Sequence, residues 1–140
     1  NGHIHIAGSV HSYIWSYNTQ KDIWWLEYMK LLKNEKMVLS NIKVADSFFD
    51  RLMGLMLKRE LGECEGLFIP NCNWVHTLFM RFSLDIVYLN KNNTICHIDA
   101  DIKPWRFCLP VFDARSILEL NSGVVDKLSL QEGDVLKCIN

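Results

Sequence analysis

Val75-His-Thr-Leu-Phe-Met-Arg-Phe-Ser-Leu-Asp-Ile-Val-Tyr-Leu89 says more about the architecture than any other part of the chain. Its second half, Ile86 to Leu89, is a β-branched and aromatic run of the kind that sits inside a sheet. His76, Arg81 and Asp85 interrupt the apolar pattern just before that run, where a strand begins. Charge beside a buried strand is costly unless it finds a partner. The stretch therefore predicts a core strand with a polar feature at its entrance.

On the C-terminal side, Asn90-Lys-Asn-Asn93 is a turn cluster, and Thr94 to Ile102 returns as a second strand, which makes a β-hairpin. Upstream, Leu67-Phe68-Ile69 reads as a short buried strand closed by Pro70-Asn71. Val38 to Ala45 reads as another. Between them, Asp46 or Ser47 can cap a short helix to about Leu57, with Phe48, Leu52, Leu55 and Met56 at helical spacing. Beyond the hairpin, Pro104 and Pro110 bracket a loop holding Trp105, Arg106, Phe107 and Cys108. Arg115 to Leu120 is a strand, Val124 to Leu130 a helical turn, and Val135 to Ile139 the closing strand. At least six short strands without a βα alternation predict a mainly β fold. The expected form is a compact antiparallel barrel or sandwich with one or two short helices.

The first 36 residues read differently. His3 to Ile6 and Val10 to Tyr17 alternate like strands, and Asp22 offers an N-cap to a helix running to about Lys33. Three of the five tryptophans fall in the first 25 residues, and Met29 and Met37 are both candidate starts for the main domain. Residues 1–36 are therefore expected to be an N-terminal extension, native or added, that the rest can fold without. Residues 37–140 are expected to form one domain.

Composition narrows the function classes. The chain has 140 residues, 49% hydrophobic and 22% charged, with a net charge of −1. That is a globular composition with no global basic field to recruit nucleic acid or anionic membrane. No apolar run spans a bilayer, and no signal peptide is visible, so the expected location is cytoplasmic. Five widely spaced cysteines without a C-x-x-C pair fit reduced, mostly buried thiols. His3, His5 and His11 lack acidic or Cys partners at ligand spacing, so no metal or other cofactor is expected. There is no Gly-rich phosphate loop, no G-x-S-x-G and no H-E-x-x-H.

Five residues remain as binding candidates: His76, Arg81, Asp85, Trp105 and Arg106. Arg holds anions bidentately and His exchanges protons near neutral pH. Along a straight strand Arg81 and Asp85 share a face while His76 points away, so a bend near Phe82-Ser83 is needed to gather all three. The alternative is a structural Arg81–Asp85 pair, with His76 bonding backbone. Trp105-Arg106 can stack on a sugar, base or peptide, or plug the mouth of the barrel. Arg115 and Glu119 share a strand face and look like a further ion pair.

From Val38 onward the chain resembles the domain-of-unknown-function 192 family. The resemblance rests on Arg51-Leu-Met-Gly-Leu-Met56, Gly66-Leu-Phe68, His76-Thr77, Met80-Arg-Phe82, Asp85-Ile-Val87 and Pro104-Trp-Arg106. Ala114-Arg115, Leu118-Glu-Leu120, Gly123 and Gly133-Asp134 continue it in the family's order. Ser83 stands where the family often has Pro, and Asn92-Asn93 where it often has Asp-Gly; Asn tolerates left-handed φ, so the hairpin is expected to survive. The resemblance implies a compact, mostly β fold and supplies no reaction. Some members are exported and some are encoded near pilus or secretion genes. Three functions are expected alternatives. The first is a non-catalytic module binding a small anionic or carbohydrate ligand. The second is an interaction protein for an envelope or pilus-type assembly. The third is a small hydrolase or lyase using His76 and Asp85, disfavoured by the lack of a nucleophile motif. A deep pocket around Arg81 favours the first, and a flat exposed apolar patch the second.

Overall fold

A computed structural model describes residues 28–45 and 66–139. The apolar run Ile86–Leu89 lies in strand β4 (Leu84–Leu89), buried at every position. Its neighbours are β5 (Ile95–Ile102) on one side and β6 (Ser116–Asn121) on the other, both antiparallel. The hairpin to β5 forms as expected. Asn93 takes the left-handed φ of 58°, and the Asn90 side chain accepts the N–H groups of Asn92 and Thr94.

β6 continues to β3 (Gly66–Pro70), then β2 (Lys36–Val44), β1 (Tyr28–Lys33) and β7 (Leu136–Ile139). One helical turn, α1 (Val124–Lys127), joins β6 to β7. The fold is mainly β, as the sequence predicts, but among the described residues the sheet is mixed and is not closed into a barrel. β2 and β3 run parallel, and the 20 residues between Ala45 and Gly66 are long enough for the crossover that a parallel pair needs. Among the described residues the edge strands β5 and β7 meet only at one end, through the Thr94–Val135 bridge. There Leu136 N–H donates to the Asn93 carbonyl at 2.9 Å, and Ile95 N–H to that of Asp134 at 2.8 Å.

The helix expected to run to Lys33 is corrected over residues 28–33, which form β1 between β2 and β7. The apolar residues there do cover a helix, but Met29 and Leu31 are buried while Lys30 between them is exposed. That is the period of a strand, and hydrogen bonding on both edges overrides the helical pattern. Asn34 and Glu35, both at positive φ, make the tight turn into β2. The boundary drawn between residues 36 and 37 thus falls in the β1–β2 hairpin, and a chain beginning at Met37 would lose a strand from inside the sheet. The strands expected at 3–6 and 10–17 and the helix expected at 47–57 lie outside the described residues.

Alternation along the strands gives the curled sheet two apolar faces. The inner face takes side chains from all seven strands, among them Leu31, Ile42, Phe68, Val87, Leu118 and Leu136. The outer face, built on Leu67, Ile69, Leu84, Ile86, Tyr88 and Ile117, is roofed by Val75, Met80 and Cys108 from two long loops, residues 71–83 and 103–115. Burying both faces explains why β4 reads as an unbroken apolar run rather than an alternating one.

Candidate functional site

The two roofing loops are clasped to each other. Their backbones run antiparallel through a His76–Phe107 bridge. Thr77 N–H donates to the Arg106 carbonyl, Cys108 N–H to that of Val75, and Val111 N–H to that of Asn73. Buried Thr77 is the rivet. Its hydroxyl donates to the Lys103 carbonyl at 2.7 Å and accepts the Arg106 N–H at 2.9 Å. Its own carbonyl accepts the N–H groups of Trp105 and Met80. One polar side chain thereby satisfies backbone groups that would otherwise be orphaned over an apolar sheet.

The clasp presents large apolar side chains to solvent. Trp74, Phe79, Trp105, Phe107, Leu109 and Phe112 are all exposed, the last two at 84%. The Phe79 and Trp105 rings meet at 4.7 Å, and the His76 ring lies about equally far from Trp74 (6.1 Å) and Phe107 (6.0 Å). Phe79 and Trp105 are 52% and 57% exposed, and each holds a left-handed backbone, at φ 63° and 64°. That region is costly for a bulky residue.

Beside this surface lies an open groove of about 670 Å³ between β5 and the second loop. Ile102, Phe107, Leu109 and Val111 supply apolar walls, and His97, Lys103 and Arg106 bring cationic or basic groups. The groove's carboxylates are already engaged. Asp99 receives the Tyr88 hydroxyl at 3.1 Å and lies 2.9 Å from His97 Nε2. Asp101 receives Lys103 Nζ at 2.8 Å and the Ser122 hydroxyl at 2.6 Å, and these bonds hold its carboxyl below the usual range. Burial, then the neighbouring Cys108 and Asp99, push the Tyr88 hydroxyl far up, so it stays protonated and donates. Burial also raises the thiols of Cys96 and Cys108, which line the groove, and keeps them from acting as thiolates.

The five residues named from sequence are divided by the fold. His76, Arg81, Trp105 and Arg106 belong to the clasped loops, and Arg106 also lines the groove. His76 Nδ1 accepts the Leu78 N–H at 3.3 Å, the backbone bond expected of it. Asp85 is elsewhere and 1% exposed. Its Oδ1 accepts the Asp101 N–H at 2.8 Å, and its Oδ2 accepts those of Gly123 and Val125 at 3.0 Å each. Arg81 is exposed in the bend before β4, and among the described residues no ion pair joins it to Asp85. The Arg81–Asp85 pair is therefore not formed: β4 starts only at Leu84, so the two never share a straight strand. Nor do His76 and Asp85 meet as an acid–base pair among the described residues. Arg115 turns its guanidinium to the carbonyls of Phe112 and Ala114. Sequence reasoning missed Thr77 as the rivet and the Tyr88–Asp99–His97 chain. Only the cross-strand pairing of Tyr88 with His97 could have signalled the latter.

No group of three or more His, Cys, Asp or Glu among the described residues is placed to hold a metal. No helix among them is long and apolar enough to cross a membrane.

Fold and loops together define a small, mainly β protein with a curled mixed sheet and one loop-roofed face. The chain belongs to the domain-of-unknown-function 192 family (DUF192, described as an uncharacterized ACR), whose model matches residues 30–138. It is 32% identical over 107 residues to a UPF0127 protein of Pyrococcus furiosus, covering 73% of this chain and 90% of that one. Two solved structures share the fold. One, of unknown function, is from Novosphingobium aromaticivorans, with a TM-score of 0.66 at 22% identity, covering 79% of this chain and 83% of that one. The other, from Sinorhizobium meliloti, has a name that proposes a transcription regulator; its TM-score is 0.67 at 21% identity, covering 81% and 97%.

Proposed function

We propose that this protein is a non-catalytic binding module whose working surface is the aromatic face of the clasped loops, with the groove beside β5. The observation that carries the reading is the Phe79–Trp105 pair. Two bulky residues hold unfavourable backbone conformations in order to stand in solvent against each other. Strain of this kind persists where the surrounding structure over-determines it, and it gathers at ligand clamps and switch regions. Trp74, Phe107, Leu109 and Phe112 are exposed on the same two loops as the pair, the groove beside them is open, and Arg81 lines no part of it. A docking surface is therefore favoured over an enclosed small-molecule pocket, and an interaction role over an isolated ligand store. The hydrolase or lyase reading built on His76 and Asp85 has little support, because both Asp85 oxygens are occupied by backbone N–H groups.

The test is a panel of chemically defined probes: acidic, basic and neutral peptides, and neutral and uronate oligosaccharides. It is run on the full chain and on Trp105→Gly, whose glycine suits the left-handed backbone. At least one probe class is expected to bind and to lose about tenfold or more in the variant, with the far-UV spectrum unchanged. A panel in which no probe shows Trp105-dependent binding overturns the binding-module reading.

A further inference from the structure

We infer that the occupant of this face is an extended acidic segment of another protein that also carries leucine- or phenylalanine-type side chains. The inference rests on the binding-module reading and adds the chemistry of the partner. Charge is its first support. Loops 71–83 and 103–115 hold Arg81, Lys103, Arg106 and Arg115 against a single acid, Asp113, so four cations less one anion give +3 on a chain of net charge −1. Lys103 is paired with Asp101, whereas Arg81 and Arg106 are exposed and make no ion pair among the described residues. Asp99 and Asp101 on the β5 wall offset two of these charges, which leaves +1 for loops and groove together, with Arg81 and Arg106 as its exposed cations.

Shape is the second support. The groove is open, and its rim bears exposed Phe107 and Leu109. An open groove suits a chain laid across it better than a small molecule, which an enclosed pocket would bury on most sides. β5 is an edge strand but a poor template for strand addition. Register shifts break its pairing with β4 at both ends, Asp101 takes φ 52°, and Asp99 and Asp101 place carboxylates along it. Such irregularities and charges blunt an edge, so the segment is read by side chains. A chain of net charge −1 has no global basic field for a continuous line of phosphates, so a peptide with a few spaced carboxylates is favoured over nucleic acid.

Fluorescence anisotropy of labelled peptides, roughly a dozen residues long, tests the inference with the full chain. The probes are an alternating Glu/Leu peptide, its Lys/Leu and Glu/Ser counterparts, and an oligothymidine of matching charge. The expected result is binding of the Glu/Leu peptide that weakens with added salt and falls about tenfold in Arg106→Glu. Arg106→Gln should fall part of the way, which covers the case in which the reversed charge perturbs folding. Equal binding of Glu/Ser would overturn the apolar half of the inference. Preference for Lys/Leu or for oligothymidine would overturn the acidic-peptide half, yet leave the binding-module reading standing if that binding is lost in Trp105→Gly. No Trp105-dependent binding by any probe would overturn both.

Discussion

The Asp85 carboxylate accepts the backbone N–H of Gly123 at 3.0 Å across 38 residues of chain. With the N–H groups of Val125 and Asp101 it ties the start of β4 to the far end of β5 and to the helical turn after β6. Its partners are therefore backbone groups, and not the Arg81 side chain of the structural alternative.

Removing that carboxylate leaves three N–H groups without their acceptor in a poorly hydrated place. Asp85→Ala should cost about 2–4 kcal/mol. Arg81→Ala, at an exposed bend, should stay within about 0.5 kcal/mol. Urea unfolding of both single variants and the double variant checks this, with the two effects adding to within about 0.5 kcal/mol. Strong coupling between the positions would restore the ion pair that the fold does not form.

The strain at Trp105 has a distinctive signature. In an ordinary loop, Ala is more stable than Gly because it restricts the unfolded chain. At φ 64° the order should invert, with Trp105→Gly more stable than Trp105→Ala by about 1–2 kcal/mol. Thermal melts of the two variants, and of the same pair at Phe79, decide the point.

Gly66 opens β3 against β6. A Cβ there would stand 2.9 Å from Leu120 Cδ2 and 3.2 Å from the Glu119 carbonyl oxygen. The leucine can shift, but the carbonyl belongs to a central strand. Gly66→Ala should lose about 1–3 kcal/mol by overpacking, and a variant as stable as the parent would show that the two strands have room to separate.

Where β1 ends and β7 begins, Lys33 Nζ lies 2.9 Å from Asp134, whose carboxylate also accepts the Gln131 N–H. The Lys33 bond foremost holds the Asp134 carboxyl below its ordinary value. A carboxyl whose pKa is lower folded than unfolded stabilises the fold above its unfolded value, about 3.9, and loses that contribution as pH falls through its folded value. Lys33→Met should therefore weaken the acid dependence of stability below about pH 4. Identical acid limbs in the two proteins would show that the pair contributes nothing to stability.

Much of the fold was legible because strands buried on both faces write themselves as apolar runs, as at Ile86–Leu89 and Leu67–Ile69. The hairpin was legible in Asn90–Asn93, because that turn is local. β1 was not, because its apolar positions satisfy helical spacing as well as alternation, and only its pairing with β2 and β7 decides between them. The parallel join of β2 to β3 depends on a crossover that no local pattern reports. At the candidate site, Trp105, Arg106 and His76 stood out by type and do lie in the clasped loops. Asp85 stood out as well, but its role is set by N–H groups 16, 38 and 40 residues away. The left-handed backbones of Phe79 and Trp105 carry no residue signal at all, since both types normally avoid that conformation.

Whether the clasped loops are the binding surface is best decided by a two-dimensional amide spectrum of the full chain, titrated with the Glu/Leu peptide. Progressive shifts are expected in residues 71–83 and 103–115 and in the β5 residues lining the groove, with the amides of β1, β2 and β7 unmoved. Shifts centred on those three strands, or none at saturating peptide, would contradict the assignment of the surface.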